Sequence, residues 1–369
     1  MRSSVLDSLT LPLVQAPMAG GPVTPVLAAA VSNAGGLGSL AAGYLTATAT
    51  EDLLRSYRTL SDAPVAVNVF VPEHHRAVAA DLQAYRSALR SWADSQSISG
   101  EVPAVPAHND DEFDQKIAML CRSRPELVTF TFGLPDSVTV ARLQDVGVTV
   151  GVTVTSEEEA VAASTNGADV LIAQGIEAGG HRGQFDQSAA PLDISTSDLV
   201  QRLAARTRLP IIAAGGIDGP EKAQALLDSG AIAVQIGTLF LTTEEAGTKP
   251  THRAALLHAA ADGASTVLTR VFTGRPARAL ANRFTAALDD RSVIGYPQVH
   301  FLTAGIRAAA AAADDAELLN LWAGTGVRGC RQESVSALLA RFSSLSVRSA
   351  PPGDAARSVR AHVAEEVSR

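Results

Sequence analysis

The 369-residue chain has few cysteines, few aromatic residues and no excess of positive charge. Its two cysteines, Cys121 and Cys330, lie far apart in the sequence, which excludes a disulfide framework and a cysteine metal cluster and fits a reducing compartment. The first residues contain no continuous apolar stretch behind a basic start, so no signal peptide is expected. We therefore expect a cytoplasmic protein without a metal site.

The chain also lacks any stretch of about 20 apolar residues free of charge, glycine and proline, so no membrane span is expected. A net charge of −8 provides no basic surface for nucleic acid, and no nucleic-acid partner is expected. The same charge repels small anions at long range, so an anionic substrate must be held by local groups.

Short apolar runs alternate with amphipathic segments along the chain. Thr24 and Pro25 are typical of a helix start and Gly35 of a helix end. The runs are continuous, as in parallel strands that are buried on both faces. They cover residues 13–18, 37–41, 65–70, 127–132, 148–154, 170–174, 211–214 and 232–237. Eight such units predict a closed TIM (β/α)8 barrel in preference to an open sheet.

Two stretches do not fit the repeat. Residues 72–112 are longer than one crossover helix and end in the acidic run of residues 109–112. Residues 244–313 follow the eighth strand and are too long for a loop, so they predict an inserted, mostly helical subdomain. The predicted barrel then comprises residues 1–243 and 314–345, and residues 346–369 form a peripheral tail.

A TIM barrel carries its active site at the carboxyl ends of its strands, often with a phosphate site after strands seven and eight. Glycines there let backbone N–H groups approach an anion closely, although paired glycines alone can also make tight turns. The residues at these two strand ends are Gly215, Gly216, Gln235, Ile236, Gly237 and Thr238. Together they predict a phosphate site.

The sixth strand is followed by a glycine-rich loop that contains His181 and includes Gly179 and Gly180. An imidazole with an ordinary pKa of about 6.5 is suited to proton transfer near neutral pH. A surface histidine without a role is the alternative, but the position at a strand end favours an acid–base residue. A surface position without a role is the preferred interpretation for five other histidines, which are His74, His75, His108, His252 and His258.

Three amides, those of Asn68, Gln174 and Gln235, lie in or at the ends of predicted strands. Buried amides need partners, and three of them can converge on a planar heterocycle with donors and acceptors. Pro17 and Met18 end the first strand, where the methionine either packs on an aromatic ring or belongs to the core.

Residues 324–329 match the pattern G-x-G-x-x-G of dinucleotide-binding sites. That site requires a preceding strand and a following helix. Here the preceding segment looks helical and few residues follow, so a loop against the barrel mouth is favoured.

Together these residues resemble the nitronate monooxygenase family. The matching segments are residues 16–38, 67–72, 173–183, 211–217 and 234–238, with further similarity at 272–284 and 321–326. The resemblance implies a barrel that binds flavin mononucleotide (FMN) and carries an inserted domain. By the same resemblance His181 matches the catalytic base, Pro17 and Met18 lie beside the flavin ring, and the flavin contacts are Asn68, Gln174, Gly179, Gly216 and residues 235–238.

The resemblance implies oxidative denitrification of alkyl nitronates with O2, giving a carbonyl compound and nitrite. With a neutral nitroalkane, His181 would first remove the α-proton. The family leads us to expect tyrosine and lysine side chains from the inserted region, where this chain offers Tyr296, His300 and Arg307. Thr325 stands where a glutamine is more usual.

Two other functions fit the same pattern. One is an FMN-dependent NAD(P)H reductase of the enoyl-acyl-carrier-protein or quinone reductase type. The other is a flavin-free barrel enzyme that acts on a phosphorylated metabolite. The sequence leaves the oligomeric state open, with a homodimer as one candidate.

Overall fold

The computed structural model describes residues 5–73 and 77–347. Each of the eight predicted apolar runs forms one strand of a parallel sheet. These strands are β1 (Leu13–Gln15), β2 (Gly38–Ala41), β3 (Val65–Phe70), β4 (Leu127–Thr131), β5 (Thr149–Val154), β6 (Val170–Gln174), β8 (Ile211–Ala214) and β9 (Ala233–Ile236). A second, antiparallel sheet contains β7 (Gly180–His181), β10 (Thr266–Thr269) and β11 (Ala277–Leu280).

The eight parallel strands form a ring. Their order is β1–β9–β8–β6–β5–β4–β3–β2, which brings the first two strands to opposite ends of the hydrogen-bonded sheet. Leu37 joins these ends, because its N–H donates to the carbonyl of Leu13 and its carbonyl accepts from the N–H of Gln15, each at 2.9 Å. The predicted TIM barrel is therefore confirmed.

Helices connect the strands and surround the barrel. The Thr24 side chain caps α1 by accepting the N–H of Leu27, Pro25 occupies the first turn, and Gly35 follows the helix with φ +91°. The helices are α1 (Pro25–Asn33), α2 (Ala47–Arg58), α3 (Ala79–Ser95), α4 (Phe113–Ser123), α5 (Ser137–Asp145), α6 (Glu157–Thr165), α7 (Thr196–Ala204), α8 (Pro220–Asp228), α9 (Pro250–Asp262), α10 (Arg283–Leu288), α11 (Gln298–Ala312) and α12 (Val335–Arg341).

The barrel interior is closed at its amino-terminal end. Alternate strand side chains such as Val14, Leu127 and Ile212 form a buried cluster with Leu6, which belongs to the short 3-10 helix Val5–Ser8. A larger cluster packs the other strand faces against the surrounding helices. Since side chains fill this end, an open cavity inside the barrel has to lie at the carboxyl end of the strands.

The segment predicted as an insertion, residues 244–313, contains α9, α10 and α11 together with β10 and β11. Strand β11 pairs antiparallel with β7, so that Ala277 lies opposite His181. We keep residues 244–313 as a proposed inserted subdomain that holds the loop after β6. Residues 348–369 of the predicted peripheral tail lie outside the described part of the chain.

Within the described ranges, no helix is both long enough and apolar enough to cross a membrane.

Candidate active site

A cavity of about 460 Å³ opens at the carboxyl ends of the barrel strands. This volume lies in the range of cavities that hold small molecules and cofactors. Its wall contains every residue that we predicted for the site: Pro17, Met18, Asn68, Gln174, Gly179, Gly180, His181, Gly215, Gly216, Gln235, Ile236, Gly237 and Thr238. The fold thus brings the predicted residues to one place.

One end of the cavity is lined by glycines. Gly215 (φ +124°) and Gly216 (φ +70°) follow β8 in conformations that an L-residue rarely adopts. A Cβ at Gly237 would lie 3.4 Å from the Ala16 Cβ and 3.7 Å from the Met18 sulfur, in van der Waals contact with both. Helix α8 starts at Pro220, just after the glycine pair. Open backbone beside a helix start suits a phosphate group.

The G-x-G-x-x-G segment packs on this glycine end and forms the 3-10 helix Thr325–Gly329. The Gly324 N–H donates to the Thr238 hydroxyl at 3.0 Å, which leaves the hydroxyl hydrogen free to donate elsewhere. A Cβ at Gly326 would lie 2.5 Å from the Ile217 carbonyl oxygen. The glycines therefore allow close packing against the barrel mouth, where the sequence analysis favoured a loop.

Two of the three amides, those of Asn68 and Gln174, have different surroundings. The Asn68 amide nitrogen donates to the hydroxyls of Thr129 (2.9 Å) and Thr131 (3.0 Å), which turns its carbonyl oxygen to the cavity as an acceptor. Gln174 is held by the glycine-rich loop itself, because its carbonyl accepts the Gly183 N–H and its nitrogen donates to the His181 carbonyl. Gln174 therefore supports the loop around His181 as well as lining the cavity.

His181 faces the cavity from the short strand β7. Its Nε2 lies 2.9 Å from the hydroxyl of Thr273, a residue of the proposed subdomain. Protein atoms surround the ring except on its cavity side, and burial lowers the pKa of His181 to about 3, with a smaller contribution from the charge of Arg307. The imidazole is therefore neutral near pH 7, and it becomes a stronger base once an anion beside it favours the protonated form.

Aromatic side chains surround His181, namely Tyr296, which the sequence analysis named, and Phe132 and Trp322, which it missed. The ring centroids of Phe132, Trp322 and Tyr296 lie 5.6, 5.2 and 5.8 Å from the imidazole centroid. An aromatic residue at or just after a strand's carboxyl end is a signal that could have identified Phe132, as well as Tyr44 after β2. Trp322 lies in a loop distant in sequence, where no local signal was available.

Basic side chains line the cavity beyond these rings. Arg307 is half-buried, and its Nη2 donates to the His300 carbonyl at 2.7 Å. No carboxylate of the described residues forms an ion pair with this guanidinium, so its charge is available to an anionic ligand. Burial lowers the pKa of Arg307 to about 10, which keeps it charged at neutral pH.

The expectation that His252 is a surface histidine is wrong. This histidine lies in the cavity wall, and its Nε2 is 3.1 Å from the Trp322 carbonyl oxygen. Burial lowers the pKa of His252 to about 4, so its ring is neutral as well. His74 and His75 lie outside the described residues.

The arrangement fits a planar cofactor with a phosphate tail. The open glycine backbone offers a phosphate cradle, and the amides and the Thr238 hydroxyl offer donors and acceptors to a heterocycle. No cluster of three or more potential metal ligands occurs in the part of the chain that the structure describes.

Comparison with known proteins identifies the family. The family model described as nitronate monooxygenase matches residues 3–344. The nitronate monooxygenase of Pseudomonas aeruginosa is 40% identical over 345 residues, covering 92% of this chain and 97% of that protein. The probable nitronate monooxygenase of Bacillus subtilis is 36% identical, covering 90% of this chain and 95% of that protein.

Solved structures agree with the fold. The nitroalkane oxidase from Streptomyces ansochromogenes superposes with a TM-score of 0.85 at 38% identity, over 98% of this chain and 100% of that chain. FabK from Thermotoga maritima superposes with a TM-score of 0.69 at 25% identity, over 98% and 99% of the two chains.

Proposed function

The chain belongs to the nitronate monooxygenase family, and from that premise we propose that it oxidises alkyl nitronates with O2 to a carbonyl compound and nitrite. Membership makes it a flavin-dependent oxidoreductase. We propose FMN as the flavin, because the cavity combines a cradle suited to one phosphate group with polar groups suited to a heterocycle.

The residues at the glycine end would hold the phosphate, namely Gly215, Gly216, Gly237 and Thr238. Asn68 and Gln235 would face the heterocycle, with Pro17 and Met18 beside it, and Gly179 and Gly180 would let the backbone approach it. When bound, FMN supplies the electron-accepting chemistry that no side chain of the cavity can provide.

His181 and Arg307 would act on the substrate. A nitronate is an anion, and the guanidinium of Arg307 offers it a positive charge in a chain whose net charge is −8. With a neutral nitroalkane, the neutral imidazole of His181 accepts the α-proton, and Thr273 orients the ring through Nε2. The aromatic walls reduce the access of water to the reacting atoms.

One observation carries the proposal. A neutral histidine and an arginine without an ion-pair partner among the described residues line the same cavity as the glycine cradle. Nitronate oxidation requires the cofactor site and is helped by the anion-binding cation, and the base extends the reaction to neutral nitroalkanes.

The visible spectrum of the purified protein tests the cofactor. We expect absorbance near 450 nm, roughly the range of an oxidised flavin, and FMN in the supernatant after denaturation. A colourless protein that takes up no FMN would instead support an enzyme for a phosphorylated metabolite.

Anaerobic titration tests the reaction. We expect propyl-2-nitronate to bleach the flavin, and aerobic turnover to release nitrite. Bleaching by NADH or NADPH with no response to nitronate would contradict the proposal and support the NAD(P)H reductase.

A further inference from the structure

The acidic run of residues 109–112 contacts the loop that follows β2. The Asp111 carboxylate accepts the backbone N–H of Tyr44 at 3.0 Å and forms an ion pair with Lys116 Nζ at 2.7 Å. Glu112 accepts the backbone N–H of Ala47 at 2.8 Å. Two consecutive carboxylates thus hold the loop of residues 44–47 at both of its ends.

The ion pair is an internal one. The Lys116 side chain is 0% exposed and projects from α4, on the outer layer of the barrel. Burial lowers the pKa of Lys116 and raises the pKa of Asp111, which disfavours the charged form of each group. The ion pair between them opposes both shifts. A buried lysine therefore fixes the carboxylate that holds Tyr44.

Tyr44 needs such support because of its backbone. Its φ of +66° lies in the left-handed region, which is unfavourable for a residue with a bulky side chain. Asp111 (φ +59°) and Glu112 (φ +52°) adopt the same region. A conformation of this kind persists only where surrounding contacts determine it, and it often occurs at functional sites.

The ring of Tyr44 forms part of the active-site wall. It stacks on His300 with centroids 4.2 Å apart and planes 5° apart, and its hydroxyl lies 3.2 Å from that of Tyr296. The carbonyl of His300 in turn accepts a hydrogen bond from Arg307. The placement of Tyr44 therefore bears on the shape of the cavity beside the arginine.

We propose that Lys116 and Asp111 are positioning residues, which fix Tyr44 and through it the fit of the substrate beside His300 and Arg307. The inference rests on the proposed function, because its kinetic test uses nitronate oxidation. Neither residue lines the active-site cavity, whereas Tyr44, whose N–H Asp111 accepts, belongs to its wall.

Lys116→Met tests the proposal, because methionine retains much of the length of the side chain but removes its charge. We expect the KM for propyl-2-nitronate to rise about fivefold to tenfold while kcat and FMN content stay nearly constant. Lys116→Arg restores the cation and should recover most of the affinity. Asp111→Asn is a milder variant, since its amide oxygen can still accept the Tyr44 N–H, and it should raise KM less.

The Tyr44→Gly background separates positioning from general stability. Glycine accepts a positive φ and removes the ring, so adding Lys116→Met should no longer change KM. The matched control is Arg58→Met, which removes an ion pair with Glu126 (2.8 Å) at the amino-terminal side of β4. This control should leave the KM unchanged.

Hydrogen–deuterium exchange of a peptide covering residues 42–47 measures the protection of the Tyr44 N–H by Asp111 and requires no enzyme activity. We expect faster exchange at the Tyr44 amide in Lys116→Met and unchanged exchange in Arg58→Met. The proposal would be overturned if Lys116→Met changed neither the KM nor the exchange rate. It would also be overturned if Lys116→Met raised the KM as much in the Tyr44→Gly variant as in the native chain. If the native protein does not oxidise nitronate, the proposed function fails, while the exchange experiment still decides whether the ion pair holds Tyr44.

Discussion

His181 shows how one residue's surroundings define its chemistry. Its sequence position suggested a histidine with an ordinary pKa, whereas burial lowers the pKa to about 3. The ring is neutral over the neutral pH range and can accept a proton. An anion bound beside it favours the protonated form and raises the pKa again. The histidine is therefore suited to remove a proton from a neutral substrate that becomes an anion as it reacts.

Replacing His181 by asparagine should separate two activities. General-base catalysis contributes about 10²- to 10⁴-fold, so we expect kcat/KM for a nitroalkane to fall by about that factor. A nitronate has already lost its α-proton, and its oxidation should fall much less. Steady-state oxygen consumption with both substrates provides the measurement, and FMN content should stay unchanged.

His258→Asn is the control, because this exposed histidine lies outside the cavity wall. Equal losses of nitroalkane oxidation, nitronate oxidation and FMN binding in His181→Asn would show that the residue supports the structure and does not act as the base.

Replacing Gly216 by alanine adds one carbon atom to the proposed phosphate cradle and so tests it. A Cβ at this position would lie 2.8 Å from the Glu177 Cβ, and φ is +70°. Gly216→Ala should therefore displace the loop and weaken FMN binding by about tenfold or more, which corresponds to about 1.4 kcal/mol. Titration of the apoprotein with FMN, followed by flavin fluorescence, measures the effect.

Gly263→Ala is a matched control, because Gly263 also has φ +70° but a Cβ there meets nothing within 4 Å. It ends α9 and lies outside the cavity wall. This substitution should lower stability by about 1–2 kcal/mol through backbone strain and leave FMN affinity unchanged. Similar affinities in both alanine variants would argue against a phosphate at Gly216.

At the scale of elements, strands were easier to predict than the cavity wall. Continuous apolar runs locate a strand that is buried on both faces, and all eight runs contain one. The short strands β10 and β11 were not predicted within residues 244–313. Strand β10 pairs with β11, and β11 in turn pairs with β7 through contacts distant in sequence, such as that of Ala277 with His181, which no local pattern records.

The loop containing the 3-10 helix Thr325–Gly329 is an element whose glycines serve packing. A Cβ at Gly329 would overlap the carbonyl oxygen of Asp218, on the loop after β8. Gly329→Ala should displace this loop and destabilise the protein by about 1–3 kcal/mol, as overpacking does. Because the neighbouring Gly324 contacts Thr238, FMN should also dissociate faster. Thermal unfolding and the rate of flavin release measure the two effects.

Gly147→Ala is the comparison for Gly329→Ala. Gly147 has φ +90° with nothing within 4 Å of a Cβ, so alanine there strains the backbone without a clash. Gly147→Ala should lower the stability against thermal unfolding and leave the rate of flavin release unchanged. If Gly329→Ala releases flavin no faster than Gly147→Ala does, the loop has no part in holding the cofactor.

At the scale of the whole molecule, the barrel follows from the sequence because each strand end reaches the same rim. The rule that active sites lie at this rim was enough to select the glycines, the amides and His181. It could not select Thr273, His252 or Trp322, since these reach the rim from loops and helices beyond β9. Their placement depends on how residues 244–313 and the following loop pack on the barrel.

That packing encloses several histidines, which gives the molecule a predictable acid sensitivity. Burial lowers the pKa of His181 to about 3 and that of His252 to about 4, and it also lowers the pKa of His300. In the unfolded chain each histidine titrates near its ordinary value of about 6.5. The unfolded state therefore binds more protons below that pH, and the free energy of unfolding decreases as the pH falls from about 6.5 toward the folded pKa values.

His252→Gln should reduce this sensitivity, because the glutamine amide can still donate to the Trp322 carbonyl but does not titrate. Between pH 7 and pH 5 we expect its free energy of unfolding to decrease by about 1–2 kcal/mol less than that of the native chain. Urea unfolding at several pH values measures the difference, and His258→Gln, at an exposed position, provides the control. Parallel curves for the native chain and His252→Gln would contradict the prediction, because they would mean that the pKa of His252 in the folded protein is close to its value in the unfolded chain.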